Sequence, residues 1–241
     1  MNNTEKQINI TPGSDVLVIR TGEATPIYTY KGFAYTADST DSLIALVKAK
    51  GSKRDAIVAY NADGIEVILD DTVTDRKQDR LAYKFKNSIQ YEEWKNILTR
   101  GCTFDQKEFI KFLQRREIGE IENIESLMAS IQQFKYVTNI AGDFTYDDNN
   151  NYNFAIKVGD AEGTVRLPQF IFAKIEIYLE SGLIQTMEIE MEVIRPRGEG
   201  EKPMFNLSCP KLSRYLQEAV DYEIKKLKKE LDGYLIVAGN I

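Results

Sequence analysis

The spacing of apolar residues changes along this chain, and this change restricts the fold more than any other feature. Apolar and polar residues alternate in the first third, apolar residues recur every three or four positions from Ile89 to Phe134, and alternation returns beyond Lys135. A period of two is typical of strands and a period of 3.6 is typical of helices. The sequence therefore predicts an α+β fold: an antiparallel sheet meander with helices packed on it, a small N-terminal sheet-plus-helix part and a long C-terminal amphipathic helix.

The N-terminal part, residues 14–88, follows a polar and flexible lead-in of residues 1–13. The segments "DVLVIR" and "IYTY" are rich in Val, Ile and Tyr and predict two strands. The segment "STDSLIALVKAKG" predicts a helix that is capped by Ser39 or Thr40 and ends at Gly51. These elements together predict a small sheet with one helix.

The clearest local pattern in this part is a β-hairpin. The segments "AIVAY" and "IEVILD" flank "NADG", in which Asn61, Asp63 and Gly64 tolerate the positive φ angles of a tight turn. The segment "LAYKFKNS" comes next and predicts one further strand.

Residues 89–134 predict three short helices. The segments "SIQYEEWKNILT", "DQKEFIKFLQRR" and "NIESLMASIQQF" each place large apolar residues three and four apart, with Gly101 and Gly119 between neighbouring segments. Either Thr103 or Asp105 is suited to cap the second helix. Its apolar stripe predicts a helix packed on a sheet and does not indicate a catalytic site.

The remaining chain predicts a meander, a long helix and an apolar tail. The segment "CPKLSRYLQEAVDYEIKKLKKELDG" has apolar residues at spacings of three and four, with Gly233 as the expected C-cap. The tail "YLIVAGNI" is too apolar to remain exposed to solvent. We therefore expect it to dock as a strand on the meander sheet or on a neighbouring subunit. Residues 89–241 form either a second domain or one continuous domain with residues 14–88.

The last helix and the tail together predict a homo-oligomer. The helix is heptad-like, and a monomer is expected to leave the tail uncovered. The apolar residues that we expect at the interface between subunits are Leu216, Val220, Ile224, Leu227, Leu231, Leu235, Ile236 and Val237.

Composition excludes several classes of function. The 241 residues include no histidine, so the chain alone cannot form a Ser-His-Asp triad, a Cys-His pair or most catalytic zinc sites. The net charge of −6 gives no long-range attraction to nucleic acid or anionic membranes. Cys102 and Cys209 form no CxxC pair and predict reduced thiols. With no signal peptide and no membrane-spanning run, we expect a cytoplasmic protein without a cofactor or a membrane partner.

One loop has the composition of a weak phosphate site. The segment "RPRGEGEKP" concentrates Arg195, Arg197 and Lys202 around glycines, which suits binding of phosphate or nucleic acid. It lacks the Gly-Lys-Ser/Thr element of a P-loop and does not open a helix. A solvated hairpin loop is the favoured interpretation.

Two groups of carboxylates are candidates for binding a hard cation. Asp143 and Asp147 lie in "DFTYDDNNNY", which does not fit an EF-hand template. Asp70 and Asp71 end a predicted strand, where neighbouring side chains point to opposite faces. We therefore predict turns at both places and no metal site, although convergence of these groups on one ion would indicate a metal-dependent enzyme.

Aromatic residues near the N-terminus suggest a stacking surface. Aromatic residues recur there as in proteins that bind single-stranded nucleic acid, at Tyr28, Tyr30, Phe33 and Tyr35. Few basic residues lie between them, essentially Lys31. Packing on a sheet explains them more simply.

The chain resembles the YfdQ-like family, a phage and prophage family of unknown function. The resemblance is carried by "YEEWKNILTRGCTFDQKEFIKFLQRREIGEI" with Trp94, Gln106, Glu108, Phe109 and Phe112, by "VRLPQF" and "EVIRP", and upstream by "TDSLIALVKAKGSKRDAIVAYNADG". Gln114 stands where the family has a glutamate, and the histidines of other members are missing. The resemblance implies a phage or prophage origin and a host-cytoplasm location, and it supplies no reaction, cofactor or catalytic residue.

Three hypotheses of function remain open at this point. The first is a non-enzymatic phage accessory protein that acts as a homo-oligomer. The second is an accessory of phage DNA metabolism or counter-defence that binds single-stranded nucleic acid or a nucleotide. The third is the carboxylate-dependent metal enzyme. The absence of histidine and of a convergent ligand pattern favours the first.

Overall fold

The structure is a computed structural model that describes residues 32–72, 78–133, 145–146, 151–158, 161–194 and 203–241, with backbone only for residues 145–146, 153–158 and 161–165. The helices in these ranges are α1 (Thr40–Lys50), α2 (Ile89–Arg100), α3 (Gln106–Gln114), α4 (Ile124–Gln133) and α5 (Leu212–Glu230). The strands are β1 (Ala34–Thr36), β2 (Ile57–Tyr60), β3 (Gly64–Ile68), β4 (Arg80–Lys84), β5 (Cys102–Asp105), β6 (Thr145–Tyr146), β7 (Asn151–Val158), β8 (Ala161–Pro168), β9 (Phe170–Glu176), β10 (Ile184–Ile194), β11 (Met204–Ser208) and β12 (Leu235–Ala238). The predicted α+β class is confirmed.

A five-stranded sheet holds the N-terminal elements in the order β1-β4-β3-β2-β12. Its centre is the predicted hairpin β2–β3, followed by antiparallel β4, whereas β1 and β12 join the two sides in parallel. Helix α1 has Ser39 as its N-cap and Gly51 as its C-cap, as predicted. The predicted lead-in and the segments "DVLVIR" and "IYTY" lie outside the described residues.

A four-stranded antiparallel sheet has the order β5-β11-β10-β9. Burial alternates along β10, as expected of a sheet with one face on the core and one face in solvent. The meander is divided, because β6, β7 and β8 form a sheet of their own. The segment "CTFD" was expected to be the start of a helix and is strand β5, after which Asp105 caps α3 through a complete capping box with Glu108.

Helices α2, α3 and α4 pack on the four-stranded and three-stranded sheets. Trp94 of α2 and Phe109 of α3 are fully buried. The Phe109 ring lies 5.3 Å from the Phe205 ring of β11 and 5.8 Å from the Phe104 ring of β5. The expectation that "DQKEFIKFLQRR" is a helix packed on a sheet is confirmed.

One buried apolar cluster joins the N-terminal and C-terminal parts of the chain. It includes Leu43 of α1, Trp94 of α2 and Leu227 of α5. β12, from the C-terminal segment, is also a strand of the sheet that holds β1 to β4. This arrangement favours one continuous domain. None of the described helices is both long enough and apolar enough to cross a membrane.

Candidate assembly surface

The apolar stripe of α5 is covered by the chain itself. Four of the residues predicted to face another subunit, Val220, Ile224, Leu227 and Leu231, are buried, and Leu216 is partly buried. Helix α5 packs on α1, with Lys226 bound to Asp41 and Lys48 bound to Glu230, both at 2.7 Å. The predicted interface along this stripe is therefore corrected: the same spacing of three and four serves a helix buried within the fold.

The apolar tail docks on the chain's own sheet. β12 pairs in parallel with β2, and the Gly239 N–H donates to the Tyr60 carbonyl oxygen at 2.8 Å. The chain then returns across the sheet, where Arg80 Nη1 donates to the Ile241 carbonyl oxygen at 3.1 Å and the Ile241 N–H donates to Glu66 Oε2 at 3.4 Å. The tail therefore docks within the same chain, but on the N-terminal five-stranded sheet and not on the meander that the sequence led us to expect.

In the part of the chain that the structure describes, no strand pairs with the outer edge of β12. The N–H and C=O groups of successive strand residues point alternately to one side of the strand and to the other. Because the Gly239 N–H points to β2, the backbone groups of Leu235 and Val237 also point to β2, and those of Ile236 and Ala238 point away from it. Among the described residues, none forms a hydrogen bond with this outer side. We call the backbone groups of Ile236 and Ala238, with the side chains of Leu235 and Val237, the assembly edge.

Two apolar side chains of the assembly edge face solvent. Leu235 is 54% exposed and Val237 is 37% exposed, whereas Ile236 is partly buried against the core. In the register with β2, Leu235 and Val237 lie on the opposite face from Val58, which is fully buried. These side chains form an apolar run in the sequence, but no local pattern indicates which backbone groups lack a hydrogen-bond partner.

The outer edge of β9, by contrast, is covered. The Lys174 N–H donates to the Glu120 carbonyl oxygen at 2.7 Å, the Glu122 N–H donates to the Phe172 carbonyl oxygen at 3.0 Å, and Ile121 forms a bridge with Ala173. We call Glu120–Glu122 the edge cover. A covered edge cannot accept a further strand at these positions.

A buried carboxylate holds the edge cover in place. Glu120 accepts hydrogen bonds from the indole N–H of Trp94 and from the Glu117 N–H, the second at 2.8 Å. Arg116 lies 3.5 Å from the same carboxylate and 2.6 Å from that of Glu93. The side chains of Arg116 and Glu120 are almost fully buried, so their contact is structural and is shielded from solvent, whereas Glu93 is half exposed.

A second buried polar pair joins α5 to the turn before β10. Ser181 Oγ donates to Glu223 Oε1 at 2.6 Å, and both residues are buried. A serine next to a carboxylate has the chemistry of a nucleophile and a base. Because the chain covers both side chains, a substrate has no access to this pair, which we interpret as a structural contact.

Buried tyrosines lie beside this pair and predict alkaline sensitivity. Burial raises the pKa of Tyr178 to about 12, and burial is also the main cause that raises the pKa of Tyr83. A folded-state pKa above the unfolded value of about 10 contributes stability that is complete below pH 10 and is lost as the pH rises through the folded pKa. We therefore expect a late tyrosinate absorbance step that coincides with unfolding, and a weaker loss of stability in Tyr178→Phe. Ionisation of all thirteen tyrosines in one early step, with the fold intact, would contradict this expectation.

Among the described residues, the candidate carboxylates Asp70 and Asp71 do not converge on one site. Asp70 Oδ1 accepts from the backbone N–H of Thr72 at 3.1 Å, and Asp71 Oδ1 accepts from the Gln78 amide at 3.1 Å, so the two carboxylates serve different local contacts. The part of the chain that the structure describes contains no group of three or more metal-ligating side chains. The residues Arg195, Arg197, Lys202, Asp143, Asp147, Tyr28, Tyr30 and Lys31 lie outside the described residues.

The thiols and the N-terminal aromatic residues are accounted for separately. Cys102 and Cys209 are free, and burial raises the pKa of both thiols, which disfavours the reactive thiolate. The rings of Phe33 and Tyr35 lie parallel with centroids 6.1 Å apart, and both are exposed at the β1 side of the five-stranded sheet. This exposed pair is the one described feature that suits stacking on a planar ligand.

No known protein family, curated protein or solved structure matches the chain. The resemblance to the YfdQ-like family therefore remains an expectation from the sequence. The class that the geometry itself defines is an α+β protein in which, among the described residues, the edge strand β9 is covered and the edge strand β12 is not.

Proposed function

We propose that this protein is a non-enzymatic, phage-encoded accessory protein that works as a homo-oligomer in the host cytoplasm. The observation that carries the assembly is the open edge of β12 with two exposed apolar side chains beside it. The phage setting is supported by the sequence resemblance alone. A non-enzymatic role is supported by the absence of histidine from the sequence and by the solvent-inaccessible position of the Ser181 and Glu223 pair.

Edge protection supports the choice of β12 as the point of contact. Natural sheets usually blunt an exposed edge with Lys, Pro, a bulge or a covering segment. This chain has a covering segment on β9, whereas Leu235–Ala238 contains only Leu, Ile, Val and Ala. An unprotected strand of this composition is the form that accepts another strand.

The mass of the purified protein tests the proposal. We expect an oligomer by light scattering and sedimentation at micromolar concentration, and a shift towards monomer in Val237→Lys, because a buried unpaired ammonium opposes association. Ile184→Lys is the matched control, since Ile184 is an exposed apolar strand residue away from the assembly edge. A wild-type protein that is strictly monomeric at these concentrations would overturn the proposal.

A second candidate function is binding of single-stranded nucleic acid. The parallel, exposed rings of Phe33 and Tyr35 favour it, and the net charge of −6 opposes it. Retardation of labelled oligonucleotides that weakens with salt and is lost in the double variant F33A/Y35A would support it. Absence of retardation at low salt would exclude it.

A further inference from the structure

We infer that the occupant of the assembly edge is β12 of a second copy, paired antiparallel about a two-fold axis that passes through Val237 perpendicular to the sheet. This inference rests on the proposed function and specifies its interface. It combines two five-stranded sheets into one of ten strands.

The backbone groups select the register. A two-fold axis at Val237 places Ile236 opposite Ala238 of the second copy, and the reverse, so that every outward N–H and C=O of these two residues finds a partner. A two-fold axis at Ile236 would place Ile236 opposite Ile236 of the second copy and Ala238 opposite Tyr234 of the second copy. The Tyr234 N–H already donates to the Leu231 carbonyl oxygen, so Ala238 would lose a hydrogen-bond partner in this register. An axis between two residues would place inner-face side chains opposite outer-face ones, which the pleat forbids.

The side chains fit the same register. On the inner face, Ile236 lies opposite Ala238 of the second copy, so that a large side chain meets a small one. On the outer face, Leu235 lies opposite Gly239, which has no side chain, and Val237 lies opposite Val237. The exposed areas of Leu235 and Val237 are thereby brought together across the two-fold axis.

The charges of α5 are complementary in this arrangement. α5 runs antiparallel to β12, and the rises of about 1.5 Å per helical residue and about 3.3 Å per strand residue place Val237 level with roughly residue 224. Lys226 and Glu230 bind α1, so Asp221 and Lys228 lie on the other side of the helix. There Lys228 Nζ donates to the Tyr60 hydroxyl at 3.3 Å, and Asp221 Oδ1 accepts from the Gln217 amide at 2.9 Å, and both charged side chains remain exposed. The two-fold axis at Val237 makes the two α5 helices antiparallel, with residue 224 of each at about the same height. Asp221 of one copy then lies near Lys228 of the other.

A second copy explains the composition of the edge better than a foreign strand does. Four residues of strand pairing bury less area than a stable interface needs, so the partner must also contribute a surface beside β12. A second copy supplies α5 with matched charges of both signs. Each copy also carries a net charge of −6, so the association is expected to strengthen as salt rises.

Disulfide trapping tests the register. In a background with Cys102 and Cys209 replaced by alanine, Val237→Cys places two thiols on residues whose Cα atoms lie about 4.5–5.5 Å apart, within reach of a disulfide. We expect nearly complete covalent dimer under mild oxidation. Leu235→Cys is the control, because it faces Gly239 of the second copy and its own counterpart lies on the order of 13 Å away along the strand.

The outcomes separate this inference from the proposed function. An oligomer that links through Leu235→Cys but not through Val237→Cys, or through neither, overturns the register and leaves assembly in place. A monomer overturns both. An independent test is Asp221→Lys, which we expect to raise the dimer Kd about tenfold. The exchange variant D221K/K228D should recover most of the affinity, and failure to do so would contradict the predicted position of α5.

Discussion

Replacement of Glu120 by alanine is expected to lower the free energy of unfolding by about 3–5 kcal/mol. The substitution leaves Arg116 buried beside only one carboxylate and removes the acceptor of the Trp94 indole N–H. A buried group that loses its partner costs far more than the pair itself contributes. Urea unfolding followed by tryptophan fluorescence measures the change, since Trp94 is the only tryptophan in the sequence.

Glu122→Ala is the matched control for this prediction. Glu122 lies two residues further along the edge cover, and its carboxylate is 3.8 Å from Lys174 in an exposed pair. An exposed pair is worth about 0–1 kcal/mol, so this variant should unfold close to wild type. Equal stability of Glu120→Ala and Glu122→Ala would show that the buried cluster does not hold the edge cover.

Replacement of Phe109 by alanine is expected to cost about 3–5 kcal/mol. Phe109 is fully buried between α3 and the four-stranded sheet, and its ring contacts those of Phe104 and Phe205. The substitution removes apolar burial and leaves a cavity that rigid strands β5 and β11 cannot fill. Thermal and denaturant unfolding measure the loss.

The control for the cavity prediction is Ile89→Ala. Ile89 is 77% exposed at the first position of α2, so its truncation creates no cavity and favours the helix slightly. We expect a change within about 0.5 kcal/mol. A small effect of Phe109→Ala would mean that α3 is loosely packed and that the aromatic contacts contribute little.

Local signals in the sequence were sufficient for most of the elements. The hairpin, the caps at Ser39 and Asp105 and the helical spacing of α2 to α4 each depend on neighbours in the chain, and all are confirmed. The positive φ expected at the hairpin turn is wrong, because Asn61 Oδ1 accepts from the backbone N–H groups of Asp63 and Gly64 and closes the turn with negative φ angles. The same signals missed β5, because "CTFD" is too short to show alternation and its last residue, Asp105, is itself a strong N-cap. Pairing partners far apart in the chain, such as β12 with β2, leave no local pattern.

The candidate site was only partly predictable for a related reason. The apolar character of Leu235 and Val237 is visible in the sequence, and their exposure is not, because it depends on which face of the sheet the strand presents. The stripe of Val220, Ile224 and Leu227 was assigned to a second subunit, whereas α1 and the sheet cover it. Amphipathicity indicates that a helix face is buried without identifying what buries it.

The pairing of β12 with β2 also affects synthesis of the chain. Asn61 and Asn240, which bind each other beside these strands, are 179 positions apart. At translation rates of about 5–20 residues per second, on the order of ten seconds or more pass between synthesis of β2 and synthesis of β12. During this time β2 has no β12 partner from its own chain. During that interval a nascent chain on a neighbouring ribosome of the same mRNA can offer an identical β12. Exchange of β12 between nascent chains then competes with pairing of β12 and β2 within one chain.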